Sequence, residues 1–376
     1  MKLIHTSDLH IGKRVNEYSM LDDQEYILEK IIAAIESESA DGLIIAGDVY
    51  DKSLPSAEAV AMFDGFITRL SKMGVKVFII SGNHDSPERV AYGGEIFSEC
   101  GIYVSPVYAG NVEPIILSDE WGEVAIYLLP FVKPQHVARY TEAEISTPTD
   151  AMAVAIGEMN IDPERRNILV THQFVTGASR TESEDVSVGG CDHVDASVFE
   201  PFDYTALGHI HRAQFMKGSS IRYSGTPLKY SFSEANDKKS LTVIELCEKG
   251  NMKISEHYLE PKRDMKELRG SYAELMTREF YEGTSYRDDY IHITLTDEDD
   301  VPDAASRLRI IYKNLMRLDY DNTRTRSIGS LGDCGTAMVK SPIEIFDEFY
   351  SKQNGQPLTE EQRRLVDGLI DAIWNG

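Results

Sequence analysis

Cysteines are few in this chain, and long apolar runs are missing. The 376 residues include four cysteines, which never form a CxxC pair, namely Cys100, Cys191, Cys247 and Cys334. Their scatter excludes a zinc knuckle and gives no disulfide framework, so we expect reduced thiols in a cytoplasmic protein. No apolar stretch approaches the roughly 20 residues that a membrane-spanning helix requires. Because Met1–Thr6 is also too short for a signal peptide, we expect no membrane association.

Positive charge is scarce as well. The chain carries 38 Lys and Arg residues against 62 Asp and Glu residues, which gives a formal net charge of −24. This balance excludes a general basic surface for nucleic-acid binding. A phosphate polyanion would therefore have to be bound locally, and bound divalent metal ions would offset the acidic residues there.

Apolar runs and amphipathic stretches alternate over the first hundred residues. Short runs rich in β-branched residues predict buried strands at Lys2–Thr6, Leu43–Ala46 and Val75–Ile80. Helices with apolar stripes are predicted between and after them, over about 22–40, 55–73 and 87–100. This alternation favours a mostly parallel sheet. The chain beyond residue 120 is richer in strands, so we expect an α/β fold of two packed sheets flanked by helices.

A change of pattern suggests a domain boundary near residues 261–270, where the chain becomes charged and irregular. We predict a main domain over 1–265, a small α+β domain over 266–335 and a helical segment over 336–376. Thr176–Asp195 is polar and contains glycine, which predicts a surface excursion. In the small domain, a helix is predicted from about 302 to 318.

Polar motifs follow five of the predicted strands. They are Asp8-Leu9-His10, Gly47-Asp48-Val49-Tyr50-Asp51, Gly82-Asn83-His84-Asp85, Thr171-His172 and Gly208-His209-Ile210-His211. An extended backbone would direct Asp8 and His10 to one face, and His209 and His211 likewise. The motifs supply seven candidate metal ligands, whose oxygen and nitrogen atoms suit Mn²⁺, Fe²⁺ or Zn²⁺ better than Ca²⁺. They are Asp8, His10, Asp48, Asn83, His172, His209 and His211. Seven ligands suffice for two metal ions that share one carboxylate, for which Asp48 is the candidate.

Each motif alone has an ordinary explanation. A single buried histidine such as His172 is more often a core or loop residue, and an aspartate before a helix is usually an N-cap. The arrival of all five motifs at strand ends makes coincidence a poor explanation. Two-metal sites hydrolyse phosphate esters. His84, next to Asn83, could then act on the leaving oxygen, and Asp51 could orient His84 by accepting its second N–H.

The five motifs resemble those of the calcineurin-like metallophosphoesterase superfamily, which contains phosphatases, phosphodiesterases and nucleases. Longer strings are similar to the SbcD family, the nuclease subunits of bacterial SbcCD complexes. These strings are Thr6 to Arg14, His172 to Ala178 and Tyr223 to Phe232. The likeness extends over essentially the whole chain, including a small capping domain and a helical tail.

The resemblance implies two Mn²⁺ ions and a role for each ligand. One ion would be held by Asp8, His10, Asp48 and His211, and the other by Asp48, Asn83, His172 and His209. His84 would be the catalytic histidine, and Asp51 stands where some relatives have a second histidine. The family further implies double-strand exonuclease and hairpin endonuclease activity in DNA repair, recombination and replication. Its partner would be an SbcC-type ATPase with a coiled coil.

Surfaces for DNA and for partners are predicted from residues outside the five motifs and from the resemblance. Phosphate contacts are expected from Lys13, Arg14 and Arg89 and from a helix that would present Arg309, Lys313 and Arg317 on one face; each set could equally be solvated surface charge. Docking on the ATPase is expected from the apolar stripe that includes Leu365, Leu369, Ile373 and Trp374, although this stripe could pack on its own domain. A homodimer through the helices around 55–73 and 87–100 is implied by the resemblance alone.

Two other functions fit parts of the sequence. A stand-alone phosphodiesterase acting on small nucleotides would share the metal site but would need no docking stripe. A non-catalytic scaffold of the same fold would have no need of seven metal ligands together with His84.

Overall fold

A computed structural model of the chain describes residues 1–184, 193–216, 218, 220–323, 325–326, 343, 346–347, 350–351 and 357–374. The first strands are β1 (Lys2–Thr6), β2 (Arg14–Val15), β3 (Tyr18–Ser19), β4 (Gly42–Ala46), β5 (Lys76–Ile80), β6 (Ile102–Val104), β7 (Ile115–Asp119), β8 (Gly122–Leu128) and β9 (Arg166–His172). The later strands are β10 (Tyr204–Gly208), β11 (Gln214–Phe215), β12 (Ile221–Tyr223), β13 (Ser240–Leu246), β14 (Met252–Tyr258), β15 (Met265–Gly270), β16 (Tyr290–Leu295) and β17 (Asn314–Tyr320).

In the part of the chain that the structure describes, the helices are shorter and more numerous than the sequence indicates. They are α1 (Leu21–Glu38), α2 (Ala57–Lys72), α3 (Pro87–Val90), α4 (Gly94–Ser98), α5 (Pro134–Val137), α6 (Pro148–Gly157), α7 (Tyr272–Leu275), α8 (Arg278–Tyr281), α9 (Ala304–Leu308) and α10 (Glu360–Trp374). Single 3₁₀ turns occur at Ala196–Phe199 and Phe232–Glu234.

Two six-stranded sheets pack face to face, as predicted. One has the strand order β14-β13-β1-β4-β5-β6 and the other β11-β12-β10-β9-β8-β7. Apolar side chains of both sheets form a buried layer between them, including Ile44 and Phe78 from one sheet and Ile126, Val170 and Tyr204 from the other. Burial of this layer on both faces explains why the strand sequences are apolar without alternation.

Helices cover the outer face of each sheet. The apolar stripe of α1, with Ile27 and Ile31, packs with Phe63 and Leu70 of α2 against the first sheet. Helix α6 packs on the second sheet through buried Met152 and its neighbours. The predicted α/β sandwich flanked by helices is therefore confirmed.

Contacts between residues divide the chain into two compact units. The first comprises Met1–Glu267, Ser285–His292 and Tyr312–Arg317, and the second comprises Leu268–Thr284, Ile293–Ile311 and Leu318–Gly376. The strands β15, β16 and β17 form a three-stranded sheet in that order. The division into 1–265, 266–335 and 336–376 stays a prediction.

Two predicted helices are wrong in the structure. The helix expected over 87–100 is split into α3 and α4, because Gly93 adopts φ 75° between them. The helix expected over 302–318 ends after α9, and its second half is the strand β17. Arg309, Lys313 and Arg317 consequently do not share a helix face, since helical spacing does not apply to a strand.

The C-terminal helix α10 is capped at its first turn by two side chains. Thr359 and Gln362 form a reciprocal capping box, in which each backbone N–H donates to the other side chain, at 2.9 Å and 3.3 Å. Residues 336–342, 344–345, 348–349 and 352–356 of the predicted helical segment lie outside the described residues, as do the side chains of Ile373 and Trp374.

Candidate metal centre

The predicted ligands lie where parallel strands of the two sheets end. In the first sheet β1, β4 and β5 are parallel, and Ala46 pairs with Ile80. In the second sheet β9 and β10 are parallel, and His172 pairs with Gly208. Their carboxyl ends point the same way within each sheet, so the loops that follow are neighbours. These loops and the last residue of β9 carry the seven predicted ligands Asp8, His10, Asp48, Asn83, His172, His209 and His211.

One group of side chains surrounds His10. Ligand atoms of Asp8, His10 and His211 all lie within 4.8 Å of one another, and all three residues are buried. Nε2 of His10 is 3.2 Å from Nε2 of His211. Two nitrogens bound to one tetrahedral ion at the usual distance would be roughly 3.3 Å apart, so the pair has the spacing of ligands to one cation.

A second group surrounds Asn83. Its Oδ1 atom is 3.0 Å from Nε2 of His172 and 2.9 Å from Nδ1 of His209. The imidazoles of His172 and His209 meet edge to face, with ring centroids 5.2 Å apart. The amide oxygen and two imidazole nitrogens thus converge on one point, as ligands of a second cation would.

Asp48 lies between the two groups. Its Oδ2 atom is 3.7 Å from Nε2 of His10 in the first group and 3.4 Å from Nε2 of His172 in the second. Its Oδ1 atom accepts a hydrogen bond from the backbone N–H of His84 at 2.9 Å. A carboxylate in this position can serve both cations at once.

Burial and charge shift the pKa values of these groups strongly. Burial lowers the pKa of His209 to about 3 and holds those of His10 and His211 well below the usual value. Neutral imidazoles are the form that binds metal ions. Burial would also lower the pKa of His172, but the carboxylates of Asp48 and Asp8 raise it to about 9. The carboxylates of Asp48 and Asp8 therefore favour positive charge beside His172.

The carboxylates respond to the same surroundings. Burial raises the pKa of Asp8 to about 7. For Asp48 burial acts in the same direction, but His172 outweighs it and brings the pKa below its usual range. Buried carboxylates facing neutral imidazoles are a donor set that fits a divalent cation of the Mn²⁺ or Zn²⁺ type.

The backbone at four ligands is in the left-handed region. The φ angles are 53° at Asp8, 45° at His10, 49° at Asp48 and 101° at His209. The expected extended backbone in Asp8-x-His10 and His209-x-His211 is therefore wrong, although the side chains do converge. Such angles are costly for residues other than glycine, and they persist where the surroundings fix them, typically at functional sites.

Gly82 is needed for close approach and not for unusual torsion angles. A Cβ atom at Gly82 would lie 2.1 Å from Oδ1 of Asp48 and 2.4 Å from its backbone nitrogen. Gly208 is equally confined, because a Cβ atom there would lie 1.8 Å from the carbonyl oxygen of Ala46. Gly82 therefore lets the loop after β5 approach the loop after β4, and Gly208 lets β10 of the second sheet approach β4 of the first.

His84 sits at the mouth of the site with a side-chain exposure of 19%. Its Nε2 is 3.9 Å from Oδ2 of Asp48, and its Nδ1 is 3.2 Å from the carbonyl oxygen of Asp51. Nδ1 of His84 thus meets the main-chain carbonyl of Asp51 and not its carboxylate. The carboxylate of Asp51 instead accepts a hydrogen bond from Nζ of Lys13 at 2.8 Å.

Asp85 is a further functional candidate, which lies in the Gly82-Asn83-His84-Asp85 motif but had no predicted role. Its buried carboxylate accepts hydrogen bonds from the backbone N–H groups of Gly82, Val49 and Tyr50 at 2.9–3.0 Å. It therefore ties the loop after β5 to the loop after β4, which carries Asp48. Its place next to His84 in a four-residue motif was the available signal.

The segment 176–195 is more than a surface excursion in its described part. Ser183 and Glu184 both contact His211, by the imidazole and the backbone N–H respectively. Glu184 is buried, as are Glu234 and Lys239 beside it. Nothing in the sequence spacing indicated this contact, because 27 positions separate Glu184 from His211.

The predicted phosphate-binding residues differ in their surroundings. Lys13 lies over the ring of Tyr230, with Nζ 5.5 Å from the centroid. Arg89 is exposed on α3, and Arg14 donates to the carbonyl oxygen of Glu17. Arg180 was not predicted, yet its guanidinium stacks 3.8 Å from the centroid of Phe174, whose ring centroid is 6.3 Å from that of His209.

Comparison with known proteins agrees with this geometry. Residues 1–213 match the calcineurin-like phosphoesterase family, and residues 261–354 match the family described as the type 5 capsule protein repressor C-terminal domain, SbcD_C. A curated relative from Staphylococcus saprophyticus, the SbcD subunit of nuclease SbcCD, is 31% identical over 99% of this chain and 98% of its own. The protein of that name from Staphylococcus epidermidis is 31% identical over 99% of both chains.

A solved dimetal phosphatase from Danio rerio aligns with 69% of this chain and 97% of its own, at 11% identity and a TM-score of 0.43. Because this likeness is low, the assignment depends on the sequence matches. Within the described residues, no helix is both long enough and apolar enough to cross a membrane.

The two-sheet fold and the cluster of carboxylates and imidazoles define a metal-binding phosphoesterase, an enzyme that hydrolyses phosphodiester bonds. The 31% identity with the staphylococcal subunits extends over 99% of this chain, and it identifies a narrower family within this class. The chain belongs to the SbcD family of nuclease subunits.

Proposed function

We propose that the chain is the nuclease subunit of an SbcCD-type complex and cleaves DNA in the cytoplasm with two divalent metal ions, Mn²⁺. Its activities would be double-strand exonuclease and hairpin or single-strand endonuclease cleavage, in DNA repair, recombination and replication. The observation that carries the proposal is the position of Asp48 Oδ2, which faces His10 at 3.7 Å and His172 at 3.4 Å. The names of the staphylococcal relatives support the nuclease activity and the complex.

Two sets of residues would hold the cations. Asp8, His10, Asp48 and His211 would bind one ion, and Asp48, Asn83, His172 and His209 the other. Two bound cations supply an activated water and neutralise charge on the phosphoryl oxygens. The protein contributes buried, largely neutral imidazoles that are already gathered at ligand spacing, so that little reorganisation accompanies binding.

His84 is the proposed acid for the leaving oxygen. The carbonyl oxygen of Asp51 can only accept a hydrogen bond, so Nδ1 of His84 carries a proton. Nε2 lies on the side of Asp48, and a protonated His84 can donate from there to an oxygen of the substrate. Because His84 is partly exposed, a substrate can reach it. His10 and His172 are fully buried, so a substrate cannot reach them in the same way.

Exposed apolar residues support the proposed partners. Leu365 and Leu369, one turn apart on α10, are 66% and 55% exposed, which fits a helix that docks on an SbcC-type ATPase with a coiled coil. Tyr92 and Ile96, beside α3 and on α4, are 82% and 72% exposed, and they support a homodimer through this region together with α2.

The test is Mn²⁺-dependent cleavage of an end-labelled DNA hairpin by wild type, His84→Gln and Asp48→Asn. We expect His84→Gln to lose cleavage by about 10²-fold or more, on the order of a lost general acid, while it still binds Mn²⁺. Asp48→Asn should lose both cleavage and metal. Faster hydrolysis of a cyclic nucleotide than of DNA would instead favour the small-nucleotide phosphodiesterase, and a wild type without cleavage would favour the scaffold.

A further inference from the structure

His211 is held at three points by polar side chains, two of which, Glu184 and Lys239, are buried. Its backbone N–H donates to Oε1 of Glu184 at 2.8 Å, and its carbonyl oxygen accepts from Nζ of Lys239 at 2.9 Å. The third contact is to its imidazole, where Nδ1 lies 2.6 Å from Oγ of Ser183. Nε2, the other ring nitrogen, faces His10 in the first ligand group.

The hydrogen bond to Ser183 has a direction that its neighbours determine. Oγ of Ser183 is also 2.6 Å from Oε1 of Glu234, and a carboxylate only accepts hydrogen bonds. Ser183 has a single hydroxyl hydrogen, so it donates to Glu234 and accepts from Nδ1–H of His211. The imidazole is then protonated on Nδ1, and the lone pair of Nε2 points toward His10.

Glu234 forms an ion pair with Lys239. Nζ of Lys239 donates to Oε2 of Glu234, to Oγ1 of Thr226 at 2.8 Å and to the carbonyl oxygen of His211. These three bonds use all the hydrogens of the ammonium group. Both members of the ion pair are buried, with exposures of 7% for Lys239 and 0% for Glu234. A buried pair with all its hydrogen bonds satisfied is fixed in position.

We propose that Ser183 is a positioning residue of the metal centre, whose hydroxyl links Nδ1–H of His211 to Glu234 and so fixes the tautomer that presents Nε2 to a divalent cation. The contact between an imidazole ligand and an outer acceptor is a recognised way to set tautomer and ring orientation. This inference rests on the proposed two-metal function and adds to it a residue that positions a metal ligand.

Ser231 provides a matched control for Ser183. Its Oγ donates to the same oxygen, Oε1 of Glu234, at 2.9 Å, but its described contacts do not include His211. Ser231→Ala therefore removes one donor from Glu234, as Ser183→Ala does, and leaves the imidazole contact intact. Ser183→Thr keeps a hydroxyl and serves as the conservative rescue.

The experiment uses the full-length chain with ¹⁵N-labelled histidine, first in EDTA. Imidazole ¹⁵N shifts report the tautomer of His211, which is assigned by comparison with His211→Ala. Wild type, Ser231→Ala and Ser183→Thr should show the Nδ1–H form, and Ser183→Ala should shift toward the Nε2–H form. Affinity for Mn²⁺, titrated calorimetrically, should fall about 10- to 100-fold in Ser183→Ala and less than about threefold in Ser231→Ala.

Two results would overturn the inference. One is an unchanged His211 tautomer in Ser183→Ala, and the other is an equal loss of Mn²⁺ affinity in Ser183→Ala and Ser231→Ala. A wild type that fails to bind Mn²⁺ would instead contradict the proposed function, whereas the tautomer measured in EDTA would still decide the role of Ser183. Thermal midpoints of all variants establish that each chain is folded.

Discussion

Oδ2 of Asp48 lies 3.4 Å from Nε2 of His172, although Asp48 follows β4 of one sheet and His172 ends β9 of the other. The contact therefore exists only when the two sheets are packed. Any cation bound there links the sheets, so metal binding and folding should be coupled.

Asp48→Asn should reduce the bound Mn²⁺ from two ions to fewer than one per chain, because both ligand groups share this carboxylate. Metal content after dialysis checks the expectation. Asp162→Asn, an exposed aspartate in the loop before β9, is the matched control and should keep both ions. A variant that lost a single ion would show that Asp48 does not bridge the two groups.

Gly82→Ala should abolish metal binding and destabilise the fold, since a Cβ atom 2.1 Å from Oδ1 of Asp48 must displace a loop. Forced repacking of this kind costs roughly 1–3 kcal/mol. Gly157→Ala makes the same change at the end of α6, where nothing lies within 4 Å of the added atom. Urea unfolding should separate the two variants, and equal stabilities would contradict the assigned contact.

His5 should make the fold sensitive to acid. Burial lowers the pKa of His5 to about 3, and its ordinary value is 6.5. Between these values the unfolded chain binds a proton that the folded chain does not, so stability falls as pH decreases from about 6.5 toward 3. The contribution is about 1.4 kcal/mol per pH unit for one proton.

His5→Gln should remove the part of the pH dependence of stability that comes from His5. The glutamine still offers a polar partner to Tyr204, whose hydroxyl is 2.9 Å from Nδ1 of His5. Urea unfolding in EDTA at pH 7 and pH 5 should therefore show a smaller loss of stability for the variant than for the wild type. Parallel losses would mean that His5 is not the titrating group.

Arg180→Gln should weaken binding of duplex DNA and reduce the slope of log K against log salt by about 1, as expected for the loss of one phosphate contact. The guanidinium is placed for this role by Phe174, 3.8 Å away, near His209. Binding is measured in a His84→Gln background to prevent cleavage. Arg165→Gln, at a position where the native arginine pairs with Glu123, should leave the slope unchanged.

Leu365→Asp with Leu369→Asp should abolish co-purification with an SbcC-type ATPase and spare hairpin cleavage by the isolated chain. A charge on each exposed leucine makes burial in a partner groove unfavourable. Arg364→Ala, at the neighbouring exposed position, should still co-purify. Retention of the partner by the double variant would place docking elsewhere.

The three strands and two helices predicted for the first 80 residues were readable because burial on both faces leaves continuous apolar runs in the strands and an apolar stripe on each helix. The failure at residues 302–318 has a tertiary cause. Arg309, Lys313 and Arg317 have helical spacing, but the chain leaves α9 after Leu308 and enters β17 at Asn314. Strand pairing in the small sheet overrides a weak helical pattern.

The sequence by itself determined which atoms the site contains. Carboxylates, an amide and imidazoles stand at the ends of buried strands, and their order along the chain identified the family. Tertiary structure alone decided which of these atoms meet. The close approach at Gly82 and the contact of Ser183 with His211 join segments that are far apart in sequence. The left-handed backbone at Asp8 and His209 is likewise held by the packing around these residues. Distances across two packed sheets depend on the whole core, which no local pattern encodes.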